Sequence, residues 1–353
     1  MSSPDAAQAS QGTAPQATAP QGTAPKPAAG AGSGSGWALV RFIGQRVIGL
    51  LATLFVASLV VFGSLYLAPG NPLTFLTHGR SMAPDAIAQL KAQYHLDDPL
   101  WMQYLRWLGG VLHGDFGTSI IYNQPVSSLL ASRAQSTLLL VVMAAVIVLL
   151  FGLAVGVFAG LKPGVLSRSV MALATATMAV PTFVAAVILI LVFAVSLGWF
   201  PVFGAGTPGL DAVYHMVLPA IALALASVAF VARLAQAAIR QELAADHVQT
   251  AISRGLAGRF IVRRHVIRNA AMPVLTVAGL TIAGLIAGSV VVEQVFQLGG
   301  FGQFLVASVQ QKDFPVVQAI CMVYVTAFIV LNTLIDLLYS LLDPRVSLGR
   351  TDS

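Results

Sequence analysis

The stretch TLLLVVMAAVIVLLFGLAVGVFA, Thr137–Ala159, contains no charged side chain and a single hydroxyl. About 20 helical residues at 1.5 Å each cross the roughly 30 Å hydrocarbon core of a bilayer. A helix that is apolar on every side needs an apolar surrounding, so this stretch is read as transmembrane. The whole chain agrees: of its 353 residues, 57% are hydrophobic and 9% charged, against about a quarter charged in an ordinary soluble domain. So few polar residues cannot cover a water-soluble globule of this length. Lipid must cover it.

Working outward, five further apolar stretches occur at Val47–Leu67, Val170–Leu197, Met216–Ala232, Met272–Val292 and Val316–Leu342. The expected fold class is therefore an all-α membrane protein with six transmembrane helices. Residues 1–36 repeat Q-x-T-A-P at Gln11, Gln16 and Gln21 and then turn Gly/Ser-rich, a composition that buries no core and predicts a disordered Pro/Ala/Gly-rich tail. The tail has no apolar stretch, so it does not read as a secretory leader, and the first span is taken as uncleaved. The expected units are this tail (1–36), a first transmembrane helix (37–67) and an extracytoplasmic loop (68–136). A five-helix core (137–343) holding a long loop at 233–271 follows, then a C-terminal tail (344–353). Pro181 falls inside the third span and predicts a kink, whose freed backbone groups neighbouring helices or a water-lined cavity must satisfy.

The net charge is +6, but the basic residues gather at the ends of apolar stretches and not beside base-stacking aromatics. Nucleic acid is not an expected partner; membrane lipid is. With the N-terminus inside, fourteen of the nineteen Lys and Arg residues fall in cytoplasmic segments. This asymmetry places both termini in the cytoplasm of a multi-pass protein of the cell membrane.

Two loops are longer than a connection requires. In the outer one, Asp98-Pro99 reads as an N-cap with proline at the first helical position. Trp101, Leu105, Leu108 and Leu112 then mark one face, with Tyr104 and Trp107 nearby. This predicts an amphipathic helix at the outer interface, either closing the bundle or offering a docking surface. The inner loop, Arg233–Ala271, predicts a helix ending near Arg254 with Gly255 in the left-handed position. A second, basic helix is expected from Arg259 to Asn269, before Pro273 opens the fifth span. Arginines facing anionic lipid explain the charge of this loop, but not its helix–Gly–helix form.

No nucleophile, metal or phosphate-loop motif emerges, and no enzymatic activity is expected. Gly204–Gly209 spells G-x-G-x-x-G, yet no strand precedes it and Pro208 stands where a helix would open, so it is a chance match. The six histidines lack ligand spacing, and the one cysteine, Cys321, sits in an apolar span as a small buried side chain. Ionisable groups inside spans are functional candidates. Asp336 shares a face with Asn332, Tyr339 and Asp343, as an ion relay or as a polar seam paired with an arginine such as Arg46 or Arg233. Glu293, at the outer end of the fifth span, is a gate residue or an interfacial charge. A membrane protein with so few intramembrane charges and a long helical inner loop is expected to draw its energy from a partner.

The inner loop also carries a resemblance. Gln249, Thr250, Ala251 and Gly255 fall on the E-A-A-x3-G positions, with Gln in place of Glu. Arg264, His265, Arg268, Asn269, Ala270 and Pro273 follow as R-H-x-x-R-N-A-x-x-P. This resembles the EAA loop of binding-protein-dependent ABC importer permeases, in the oligopeptide/dipeptide/nickel branch. Pro69–Pro72, Leu112–Ser119, Val180–Phe183, Pro315–Gln318 and Leu342–Arg345 resemble the same branch; Gln135 departs from it where proline is common. The resemblance implies a type I ABC importer permease fold with a cytoplasmic coupling helix before Gly255, seated in an ATPase groove with Ala251 packed on that partner. It further implies a second permease subunit, two cytoplasmic ATPases that bind the ATP and Mg, and an extracytoplasmic solute-binding protein. No cofactor would then belong to this chain. Di- and oligopeptides are the implied solutes, with nickel chelate or glutathione as alternatives. A stand-alone secondary transporter is the rival reading; it would call for intramembrane charges and inverted repeats.

Overall fold

In the computed structural model, residues 34–67, 85, 88 and 97–342 are described. Most of the 1–36 tail lies outside them, as do Pro69–Pro72, Asp343 and the C-terminal tail. The described chain is almost wholly helical. It comprises α1 (Gly34–Leu67), α2 (Leu100–Leu112), α3 (Val126–Leu161), α4 (Val165–Met178), α5 (Thr182–Ser196) and α6 (Leu210–Leu243). After these come α7 (Asp246–Ser253), α8 (Gly258–Phe296), α9 (Phe301–Gln311) and α10 (Phe314–Leu342). α3, α5 and α8 each contain one π-helical turn, at Val148–Gly152, Ile190–Ser196 and Val262–Val266.

Five helices are long and apolar enough to cross a membrane, and α4 with α5 makes a sixth passage bent by 106°. That pair traverses the bundle. Met171 of α4 packs with Ala159 and Ala232 at one end of α3 and α6. The chain leaving α5 lies at the other end, where the Trp199 carbonyl accepts from the Tyr214 hydroxyl near the start of α6. The expected single kinked helix over Val170–Leu197 is therefore two helices. Pro181 has no N–H to donate, and its ring drives the residue before it out of the helical region. It restarts the chain as the N-cap of α5, at φ −57° and ψ 141°.

Other boundaries move because a helix need not stop where it leaves lipid. α3 starts at Val126, inside the expected outer loop. α6 continues past Ala232 to Leu243, and so takes up the first part of the 233–271 loop. α8 begins at Gly258 and passes through Pro273 without a break. α1 likewise extends back to Gly34. At 1.5 Å per residue α6 is about 50 Å long, some 20 Å more than the hydrocarbon core needs.

α6 is the central element, and a glycine stripe on α3 holds it. Gly152, Gly156 and Gly160 recur every fourth residue and share a face, the small-xxx-small pattern that lets membrane helices approach closely. A Cβ on Gly156 would stand 2.5 Å from Cβ of Ala235 and 2.7 Å from the carbonyl oxygen of Ala232; one on Gly160 would stand 2.8 Å from Cγ2 of Ile239. Below the stripe, Gln236 and Arg240 of α6 donate to the carbonyl of Ala159 at 3.2 and 3.3 Å. This satisfies an acceptor at the C-terminal end of α3 that the helix itself leaves open.

Because nothing in the α3–α6 seam can yield, Gly156→Val is expected to destabilise the protein by about 1–3 kcal/mol or more. It should appear as a lower unfolding temperature in detergent. Gly284→Ala, which meets open space on α8, should leave the unfolding temperature unchanged.

Candidate functional site

At the end of α6 the amides of Ala244 and Ala245 take the carbonyls of Arg240, Gln241 and Glu242, and the next helix reaches the carbonyl of Leu243. Gln249 Nε2 donates to the carbonyl of Leu243 at 3.0 Å, a bond an ionised glutamate at this position could not make. α7 is then a short amphipathic helix of about two turns. Its inner face, Val248 and Ala251, is buried against Ile239 of α6 and Ile261, Val266 and Ala270 of α8. Gln249, Thr250, Ile252 and Ser253 face outward. The chain leaves α7 through Gly255 at φ +75°, the left-handed conformation that L side chains pay to adopt. The expected turn at Gly255 is thus present.

A polar clasp ties the seat together. Glu242 Oε1 accepts from Asn269 Nδ2 at 2.7 Å and lies 2.9 Å from His247 Nε2, joining α6, α7 and α8. Here Asn269 holds α7 from behind. His265 is half-buried, its ring 6.2 Å from that of His247 and 6.0 Å from that of Phe260. Arg254, Arg259, Arg263, Arg264 and Arg268 are exposed around the apolar side chains Ile252, Leu256 and Phe260. The expectation that Ala251 packs on a partner is corrected. Its small side chain fits α7 to its own seat, while the residues free for a partner are Thr250, Ile252, Ser253 and Leu256.

The other candidates lie elsewhere. Glu293 is fully buried, which corrects the reading of an interfacial charge. Its carboxylate accepts from Thr137 Oγ1 of α3 at 2.7 Å and from the amides of Gly302 and Gln303, at 2.7 and 3.2 Å, in the first turn of α9. A carboxylate at a helix N-terminus answers both the open amides and the helix dipole. Gly300 and Gly302 are required there: a Cβ on Gly300 would lie 2.5 Å from Glu293 Oε2, and one on Gly302 would lie 2.4 Å from the Val290 Cα. Asp313, not singled out in the sequence, is the counterpart at the far end of α9. It is buried and accepts from Ser119 Oγ at 2.5 Å and from the amides of Ile120 and Ile121 at 3.2 and 3.4 Å. Only the match of Leu112–Ser119 hinted that this loop was held. Asp336 does pair with Arg46, at 2.6 Å, on the rim of α1 and α10; of its expected companions, Asp343 lies outside the described residues. Pro181 marks the break between α4 and α5. In the G-x-G-x-x-G loop, the carboxylate of Asp211 takes the amide and hydroxyl of Thr207, at 2.6 and 3.0 Å, and so ties the loop to the first turn of α6. Among the described residues, no group of three His, Cys, Asp or Glu side chains could hold a metal.

Residues 39–141 and 152–348 match, respectively, the N-terminal and the main part of the family described as binding-protein-dependent transport system inner membrane component. A glutathione transport system permease protein of Salmonella paratyphi A is 35% identical over 309 residues, covering 87% of this chain and 99% of that protein. The corresponding permease of Escherichia coli K12 is 34% identical over the same shares. A chain of the inward-facing MetNI methionine ABC transporter, 19% identical, covers 61% of this chain and 96% of its own length at a TM-score of 0.50. That likeness concerns the fold alone, which is the type I importer permease fold.

The two faces of α7 are separable. Ala251→Asp places a charge in the buried seat, at a cost of several kcal/mol unless paired, and should speed tryptic cleavage at Arg254 severalfold. Thr250→Asp, on the exposed face, should leave the cleavage rate as it is.

Proposed function

The chain belongs to the binding-protein-dependent transport system inner membrane component family, as an ABC importer permease subunit, and on that premise we propose that its solute is glutathione or another short peptide. Glutathione is the first solute to test, because relatives alike over nearly their whole length are glutathione permeases. A second permease subunit would complete the pathway, and a solute-binding protein would deliver the solute on the side away from α7. Two cytoplasmic ATPases would bind the ATP and Mg, leaving this chain without a cofactor.

The observation that carries the coupling part of this reading is the mounting of α7. It is short, seated on its inner face, clasped by Glu242, His247 and Asn269, and open outward through Thr250 and Ile252, with Leu256 exposed just beyond it. A helix so mounted transmits a push; one on a loose loop would absorb it. ATPase closure would move α7, and α6 would carry that displacement through the bilayer because the glycine stripe locks it to α3. Gln249, Thr250 and Gly255 serve the presentation of α7, Ala251 its seat, and Arg264 and His265 its flank. Glu293 and Asp313 would keep the opposite ends of α3, α8 and α10 moving together.

The Gly255 turn has room for a side chain, with nothing within 4 Å of a built Cβ, so only its positive φ resists substitution. Gly255→Val should cost about 1–2 kcal/mol in that conformation and reduce ATP-driven uptake. Gly255→Asn, which tolerates a left-handed backbone, should retain most of it. Uptake of labelled glutathione into proteoliposomes of the co-purified complex with its binding protein reads both. Unimpaired uptake in Gly255→Val would remove the coupling role. Wild-type uptake of nickel chelate, with none of glutathione or di- and tripeptides, would remove the solute assignment.

A further inference from the structure

We propose that α2 is a lipid-embedded helix whose exposed apolar face is covered by acyl chains of the leaflet opposite α7. Two observations converge on this. The first is depth. α2 packs on α1 through Tyr104 and Trp107. Tyr104 stacks edge-on against Phe55 and Phe62 of α1, with ring centroids 6.3 and 5.4 Å apart, and Trp107 lies 5.6 Å from Phe62. The Tyr104 hydroxyl is buried and shares a 2.7 Å hydrogen bond with Ser58 Oγ. Phe55, Ser58 and Phe62 all belong to Gly44–Ser64, the part of α1 long and apolar enough to cross a membrane. Ser58 lies about 9 Å of helix inside its end. A helix bonded at that level is inside the bilayer and not above it.

The second observation is how α2 disposes of its polar groups. Besides the indole N–H groups of Trp101 and Trp107, its polar side chains are Gln103, Tyr104 and Arg106. Gln103 Nε2 donates to the carbonyl of Asp98 at 2.8 Å, and Arg106 pairs with the Asp98 carboxylate. His113, just beyond the helix, turns its Nδ1 onto the carbonyl of Gly109 at 2.7 Å. Asp98 is thus occupied by the helix body and does not act as the expected N-cap; Pro99 holds that position. Polar groups satisfied within the chain are what hydrocarbon demands. What remains exposed is Leu100, Trp101, Leu105 and Leu112, which are 56, 62, 55 and 76% accessible. The expected apolar face therefore exists in part, but it points away from the bundle; Tyr104 and Trp107 make the packing face. α1 itself leaves Val56, Leu59 and Val60 exposed. Acyl chains suit both.

The test uses the chain with Trp101 as its sole tryptophan, Trp37, Trp107 and Trp199 being changed to Phe, purified with its co-purifying subunits. The complex is reconstituted in phosphatidylcholine vesicles with or without bromine on the acyl chains. Brominated lipid should remove most of the Trp101 emission, while aqueous iodide removes little. Strong iodide quenching without lipid quenching would overturn the proposal in favour of a water-facing helix. Protection from both quenchers would overturn it in favour of a covering protein subunit. Lipid quenching abolished by added solute-binding protein would overturn it in favour of a protein docking surface. Trp107, kept as the sole tryptophan in a companion variant, should be quenched less by lipid because it faces α1.

Discussion

The approach of α3 to α6 is the constraint on which the rest of the molecule depends. In lipid, helices gain nothing by hiding apolar surface from one another, since acyl chains are equally apolar. Association must come from close packing, and close packing needs a seam without side chains. Gly152, Gly156 and Gly160 provide it against Val231, Ala235 and Ile239. The seam continues to the end of α3, where Gln236 and Arg240 reach back to Ala159. α6 is thereby held along the part of its length that leaves the bilayer, and α7 inherits that rigidity. The polar clasp of Glu242, His247 and Asn269 closes the arrangement on the far side of α7.

At the opposite ends of the helices a different principle operates. A buried polar group in a bilayer has no water to turn to, so each must be answered by the chain itself. Glu293 is answered by the distant hydroxyl of Thr137 and by amides of the next helix, and Asp313 by a hydroxyl and amides nearly 200 residues away. Between them they fasten both ends of α9, one to α3 and the other to the loop at Ser119. Arg46 and Asp336, by contrast, meet on the rim, partly exposed on both sides. The pair neutralises two charges at a membrane edge without fastening anything in the interior. The three carboxylates look alike in the sequence, and their surroundings separate them.

The same separation runs through the two amphipathic helices. For α7, periodicity marks Val248 and Ala251 as one face and Thr250 and Ile252 as another, without stating which is turned to a partner. α6 and α8 settle it by placing Ile239, Ile261 and Val266 under Ala251. For α2, the periodicity marks Trp101, Leu105 and Leu112 as the apolar face. The packing nevertheless goes through Tyr104 and Trp107, because Ser58 offers the Tyr104 hydroxyl a partner and Phe55 and Phe62 offer edges to the rings.

Much was legible from the residues alone. The scarcity of charge and the length of stretches such as Thr137–Ala159 determine a helical membrane protein of six passages, since only lipid can cover such surfaces. The spacing from Gln249 to Pro273 determines the loop's family likeness, and Gly255 determines the turn, since only glycine takes a left-handed backbone without penalty. What the tertiary structure alone decided is the use of each position. It split the third passage at Pro181, carried α6 past Arg233, turned Ala251 inward and set Glu293 on the amides of α9. The reason is physical: hydropathy and periodicity report what a segment must avoid, whereas a burial partner or a hydrogen bond depends on which distant residue arrives beside it.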